Sequence, residues 1–157
     1  MAKLFGVTLK KVHKGTDHDG CALYSADVYY NGKRLGSWEQ DAWGGPDRMD
    51  FNKDLLQDAV EQFKQSDLVN PKYKDLTTAS ILLDKLVGLY EDEKLYKKGL
   101  KNGFNAFIIQ EYGYRQGFWM NGTLEDIKAS KDYKELVERS RGVNVRIYTD
   151  IMDFEVA

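Results

Sequence analysis

The residues best equipped for chemistry fall into three short stretches. In the first, Asp17-His18-Asp19 stands just before Cys21, with His13 upstream. A structural zinc site takes about four ligands, commonly as paired Cys or His at turn spacing. A single cysteine does not supply that pattern. A cysteine nucleophile needs a base within hydrogen-bond reach and a third group to orient that base. Neighbours along one strand rarely give this geometry, so the stretch reads as a solvated loop, with no catalytic residue and no metal ligand assigned.

The second stretch is Glu39-Gln40-Asp41-Ala42-Trp43-Gly44-Gly45-Pro46-Asp47. Two adjacent glycines permit positive φ or close backbone approach, and amides exposed there can hold an anion. The carboxylates beside them suit a cation or a ligand hydroxyl instead. Asp41, Trp43, Gly44, Gly45 and Asp47 are therefore the candidate ligand-binding residues. Gly-Gly-Pro is also ordinary turn chemistry. On that reading the segment only leads from a strand into a helix, with Trp43 packed down as a lid.

The third stretch is aromatic. Tyr112, Tyr114, Arg115, Phe118 and Trp119 cluster around an expected hairpin in a chain with ten tyrosines. Tyr, Trp and Arg are enriched where interfaces are most fully desolvated, and these five are the candidate partner-binding residues. Strand composition favours the same aromatics. No phosphate-binding loop, dinucleotide fingerprint, zincin or nucleophile elbow is present, and no cofactor is implied. Glu91-Asp92-Glu93 reads as the solvated face of a helix.

The elements that must position these residues follow from periodicity. Leu4 to Val12 alternates as a strand, as does Cys21 to Tyr30. Asn31-Gly32 then predicts a type I′ turn, because both central residues of that turn need positive φ. A third strand runs from Lys33 to about Gln40. A plain two-residue turn places Tyr29 opposite Arg34, Val28 opposite Leu35 and Ala26 opposite Ser37. Ala26, Val28 and Leu35 then face the core, with Asp27, Tyr29, Arg34 and Trp38 on the other side.

Asn52 can cap a helix carrying Leu55, Leu56, Ala59, Val60 and Phe63 at helical spacing. A second helix starts near Thr77 or Thr78, carries Leu82, Leu83, Leu86, Leu89 and Tyr90, and stops at Gly99 or Gly103. Phe104 to Glu111 is β-rich and pairs with Phe118 to Met120. Thr123-Leu124-Glu125-Asp126 reads as a capping box, and Ser130 restarts that helical region until Gly142. Val143, Val145 and Ile147 alternate as a last strand. The order βββ-αα-ββ-α-β predicts an α+β fold with a mainly antiparallel sheet and helices on one face.

The bulk numbers narrow the function classes. With 157 residues, 42% hydrophobic and 31% charged, the chain has the size and balance of one folded domain, residues 1–157. Basic and acidic side chains number 7 and 7 in residues 1–50, 9 and 9 in residues 51–103, and 7 and 9 thereafter. Nucleic-acid binders concentrate Lys and Arg. Here only Lys94, Lys97, Lys98 and Lys101 cluster, where a helix end favours cations, so no nucleic-acid partner is expected. Nucleic-acid mimicry, which needs a dense acidic face, is equally unsupported. Lone Cys21 fits a reducing compartment; Met1-Ala2-Lys3-Leu4 lacks the long apolar stretch expected of a signal peptide, and no run approaches about 20 apolar residues. A cytoplasmic location is expected, with no membrane partner; self-association is left open.

One resemblance bears on origin. Tyr30-Asn31-Gly32-Lys33, then Gly36, then Asp41-Ala42-Trp43-Gly44-Gly45 resembles a hairpin signature of small uncharacterised bacteriophage and mobile-element proteins. Those proteins typically read as a Gly-Lys turn, a further Gly and then Asn-Asp-Gly-His-Gly-Gly. The resemblance covers about the first third of the chain. Trp43 stands where the His often stands and Ala42 replaces a Gly, so no role of that His carries over. The resemblance implies origin rather than mechanism. It leads to the expectation of a non-enzymatic binding protein that inhibits a host factor in the host cytoplasm. A bacterial immune protein, as targeted by anti-CRISPR proteins, is the most concrete form of that partner. The alternative is a protein or enzyme that binds a nucleotide or metal at the Asp41–Asp47 loop.

Overall fold

The computed structural model describes residues 1–110, 116–140 and 145–157. The fold is α+β, and the chain divides into two compact units, residues 1–90 with 155–157 and residues 91–154.

The first unit holds β1 (Lys3–Leu4), β2 (Val7–Thr16), β3 (Ala22–Tyr30), β4 (Lys33–Glu39) and β5 (Arg48–Met49). Two helices follow, α1 (Gln57–Gln65) and the first half of α2 (Ala79–Lys101). A last strand, Glu155–Val156, returns to pair parallel with β1 and closes the sheet order β5-β4-β3-β2-β1 at its far edge. That parallel pair, and the short β5 at the other edge, are elements the periodicity did not announce.

Asn31 (φ 49°) and Gly32 (φ 83°) form the positive-φ turn that the sequence requires, closed by Tyr30 opposite Lys33. Beyond Tyr29–Arg34 the expected register fails. A bulge at Leu35 places Val28 opposite Gly36, Asp27 opposite Ser37 and Ala26 opposite Trp38. One inserted residue carries every following side chain to the other face. Trp38 is therefore fully buried beside Ala26 and Val28 rather than on the polar side, and Leu35 is only half-buried. Gly36 is required at this point, because a Cβ there would collide with the Asp50 carboxylate and the Phe51 ring.

The core of this unit joins Val7, Leu9, Val28 and Trp38 of the sheet to Leu56, Ala59, Val60 and Phe63, with the Phe5 ring 6.4 Å from that of Phe63. Burying each large apolar side chain is worth about 1.5–3 kcal/mol, which outweighs local helix propensity. Asn52 caps a 3-10 turn, Lys53–Leu56, that leads into α1, and Leu55 points outward.

In the second unit, α2 ends as its glycines predict. Gly103 (φ 88°) donates its N–H to Leu100 and Phe104 donates to Gly99, a pairing that satisfies the last carbonyls. Then follow β6 (Ala106–Gln110), β7 (Gln116–Met120), α3 (Leu124–Ala129), α4 (Lys131–Ser140) and β8 (Val145–Tyr148), with the strands ordered β7-β6-β8. The final Glu155–Val156 strand is β9. Both halves of the Thr123–Asp126 capping box form, and the Ser130 hydroxyl accepts from Tyr133 N–H to restart the chain as α4. Ala106, Ile108, Ile127 and Leu136 make the core, with Phe118, Tyr133, Val145 and Ile147 packed on it. Gly142 and Val143 lie outside the described residues.

Glu91-Asp92-Glu93 is not a solvated face. Asp92 and Glu93 are buried, Asp92 accepting from the Tyr148 hydroxyl at 3.4 Å and Glu93 pairing with Lys97 at 2.6 Å. Among the described residues no helix is long and apolar enough to cross a membrane.

Candidate functional site

Two bulges build the polar face of the first sheet. The Leu35 bulge keeps Asp27 level with Ser37, and a second, between Lys10 and His13, sets His13 opposite Ser25. Lys11 takes φ 51° there, which non-glycine residues seldom adopt. Side chains of directly opposed residues share a face. His13, Ser25, Glu39 and Arg48 thus form one row across four strands, and Lys10, Asp27 and Ser37 form the next.

The charges in these rows are matched. Arg48 pairs with Glu39 at 2.8 Å; Asp27 is met by Arg34 at 3.1 Å and by Lys11 at 3.9 Å. The Asp50 carboxylate accepts from Ser37 N–H at 2.6 Å and from Ser37 Oγ at 2.7 Å. The Arg34 hydrogen bond holds the Asp27 carboxyl below the ordinary aspartate range, and the Ser37 hydroxyl does the same for Asp50. Ser37 N–H is thus bonded just where β5 ends, and Asp50 N–H donates in return to the Ser37 carbonyl at 3.2 Å.

The row His13-Ser25-Glu39 contains the residue types of an acyl-transfer triad in the wrong order. In a triad the imidazole stands between hydroxyl and carboxylate. Here Ser25 stands in the middle, on a regular strand.

The glycine loop rises beside this face. The Asp41 carboxylate accepts from the N–H groups of Trp43 (3.2 Å) and Gly45 (2.8 Å), so it organises its own turn. A Cβ on Gly45 would meet that carboxylate at 2.8 Å, and Gly44 takes φ 76°. Asp47 accepts from the Trp38 indole N–H at 2.7 Å. Of the five loop candidates, Asp41 and the two glycines shape the loop itself, and Asp47 ties it to Trp38. Trp43 does not pack down as a lid: it is 78% exposed, more than any other large hydrophobic side chain among the described residues. Its ring stacks on His18, with centroids 4.6 Å apart.

His18 is held in turn by a loop in which Asp17 Oδ1 accepts from Asp19 N–H (2.9 Å) and Cys21 N–H (2.8 Å). Asp17 is spent on the turn, and Cys21 is exposed.

The aromatic candidates fare differently. Tyr112, Tyr114 and Arg115 lie outside the described residues. Phe118 packs on the core of the second unit. Trp119 donates its N–H to the Leu95 carbonyl at 2.8 Å, and its indole fills the space a Cβ on Gly99 would need. Both are bound into their own unit.

No family model, curated protein or solved structure matches the chain. The site is therefore read from its own geometry. Sequence reasoning singled out Trp43 and the stretch that begins at Glu39, but gave no role to Ser25, Glu39 or Arg48. Their alignment depends on two bulges, and the only sequence signal for either was a glycine at position 36.

Proposed function

We propose that the protein acts by stoichiometric binding, not catalysis, and that it meets its partner through the polar face of the first unit with Trp43 at its rim. The observation that supports this is Trp43 itself. A large aromatic side chain stands in solvent on a loop whose own hydrogen bonds fix its shape. Such a side chain loses little entropy on docking and gains most on desolvation, which is how interface anchors behave. In its most concrete form the partner is a bacterial defence protein in the host cytoplasm, a reading that rests on the resemblance of residues 30–45 to phage and mobile-element proteins. A single exposed cysteine supports the reducing compartment.

The test is expression in bacteria whose CRISPR or other defence blocks a given phage. Plaquing should be restored by the wild-type chain and lost again with Trp43→Ala. No restoration in any defended strain, or full restoration by Trp43→Ala, would contradict the reading.

A second reading, small-ligand binding at the same loop, is favoured by two adjoining cavities of about 460 and 510 Å³ on the polar face. Each has the volume of an ordinary ligand site, roughly 300–1,000 Å³.

A further inference from the structure

The exposed ring of Trp43 stands where the chain's negative charge is concentrated. Residues 13–25 and 39–50, whose loops meet at the His18–Trp43 stack, carry six acidic and two basic side chains. The rest of the chain carries 19 and 21, an excess of the opposite sign. Both local cations are already inside that balance: Arg48 pairs with Glu39 at 2.8 Å, and the Lys14 ammonium lies over the Tyr24 ring at 5.9 Å. Lys11 and Arg34, in the adjoining part of the face, both meet Asp27.

Three of the carboxylates are held by neutral donors. Asp17 Oδ1 accepts from the N–H groups of Asp19 and Cys21, Asp41 Oδ2 from those of Trp43 and Gly45, and Asp47 Oδ2 from the Trp38 indole. Neutral donors fix a carboxylate in place without cancelling its charge, and each carboxylate offers about four acceptor positions. The second oxygens, Asp17 Oδ2, Asp41 Oδ1 and Asp47 Oδ1, have no hydrogen bond among the described residues. All three side chains are half-buried, so salt screens them less than it screens fully exposed charges.

The aromatic ring asks for the same sign. An indole carries negative charge on its face and attracts an ammonium or guanidinium group. Lys10, Lys14, Lys72 and Lys98 each stand over an aromatic ring of the chain, but among the described residues no cation stands over Trp43. His18 backs one face of that ring, and the indole is otherwise mostly exposed.

We infer that the partner is a protein whose docking segment is basic. One Lys or Arg side chain lies against the open face of Trp43, and neighbouring cations meet the open oxygens of Asp17, Asp41 and Asp47. The inference rests on the stoichiometric-binding reading and adds the chemistry of the partner. A nucleic acid would bring phosphates into a field of the wrong sign.

The test titrates the full chain with a labelled peptide of alternating arginine and glycine, read by fluorescence anisotropy, beside a glutamate-glycine peptide of equal length. The basic peptide should bind and the acidic one should not. Trp43→Ala should weaken binding by about tenfold, as should the triple variant Asp17→Asn, Asp41→Asn and Asp47→Asn. Asparagine keeps an acceptor oxygen for each loop N–H, and circular dichroism checks that the variants keep the fold. Raising sodium chloride from about 50 to about 500 mM should weaken binding at least about fivefold. No binding of the basic peptide, equal binding of the acidic one, or undiminished binding by the triple variant would overturn the inference. Binding of spermine without binding of the peptide would overturn it too. Full plaquing in a defended strain with the triple variant, while Trp43→Ala fails, would overturn the basic partner and leave the first reading standing. The expected peptide binding without restored plaquing would remove the defence partner and keep the basic segment.

Discussion

The Trp38 indole N–H donates to the Asp47 carboxylate at 2.7 Å, joining the most deeply buried aromatic ring of the first unit to the base of the glycine loop. Asp47→Ala would leave a donor without a partner beside the core, at a cost of about 1–3 kcal/mol. Asp47→Asn keeps an acceptor oxygen and should cost less. Urea denaturation measures both, and equal midpoints for all three proteins would mean the bond contributes nothing.

Gly36 is where β4 passes Asp50. Any Cβ at this position meets the Asp50 carboxylate and the Phe51 ring. Gly36→Ala should therefore destabilise by about 1–3 kcal/mol, as overpacking does. It should do so while Gly15→Ala, with open space around it, stays within about 0.5 kcal/mol. Thermal melts of the two variants give the comparison, and a harmless Gly36→Ala would contradict the bulge geometry.

Asp92 supplies a third comparison. Its burial and the Tyr148 hydroxyl bond predict that Asp92→Ala loses about 1–3 kcal/mol, where a surface acid would lose almost nothing. Exposed Glu125 is the control. A denaturation midpoint for Asp92→Ala equal to that of Glu125→Ala would place Asp92 in solvent.

These cases show where the sequence was legible. Asn31-Gly32, the Thr123–Asp126 box and the Leu82-Leu83-Leu86 spacing each act over five residues or fewer, so local chemistry decides them. Trp38, Asp92 and the His13-Ser25-Glu39-Arg48 row were not legible. Trp38 changed face because one bulge shifted the register, and a bulge leaves no periodic mark. Asp92 sits in an acidic triplet that looks solvated, yet it is buried and meets the Tyr148 hydroxyl, 56 positions away. Trp43 was legible as a candidate, but its exposure was not, because Gly-Gly-Pro allows the loop to fold inward or outward.

Acid should act through Asp27 and Asp50. Both carboxyls are lowered in the folded state by hydrogen bonds from Arg34 and Ser37. The folded protein therefore binds fewer protons than the unfolded chain just below the ordinary aspartate value of about 3.9. Their contribution is complete above that value and is lost as pH falls through the lowered ones. Melting temperature should drop over this acid window, and Asp50→Asn should flatten the drop. An unchanged slope in the variant would remove Asp50 from the account.

The central claim is that binding runs through the polar face and Trp43. The measurement that addresses it most directly is affinity capture from a lysate of the defended host, followed by titration of the retained partner against wild-type, Trp43→Ala and Phe118→Leu chains. Trp43→Ala should lose about 2 kcal/mol or more of binding energy while remaining folded. Phe118→Leu, which alters the packing of the second unit, should bind as the wild type does. A partner that Trp43→Ala holds as tightly as the wild type would contradict the claim.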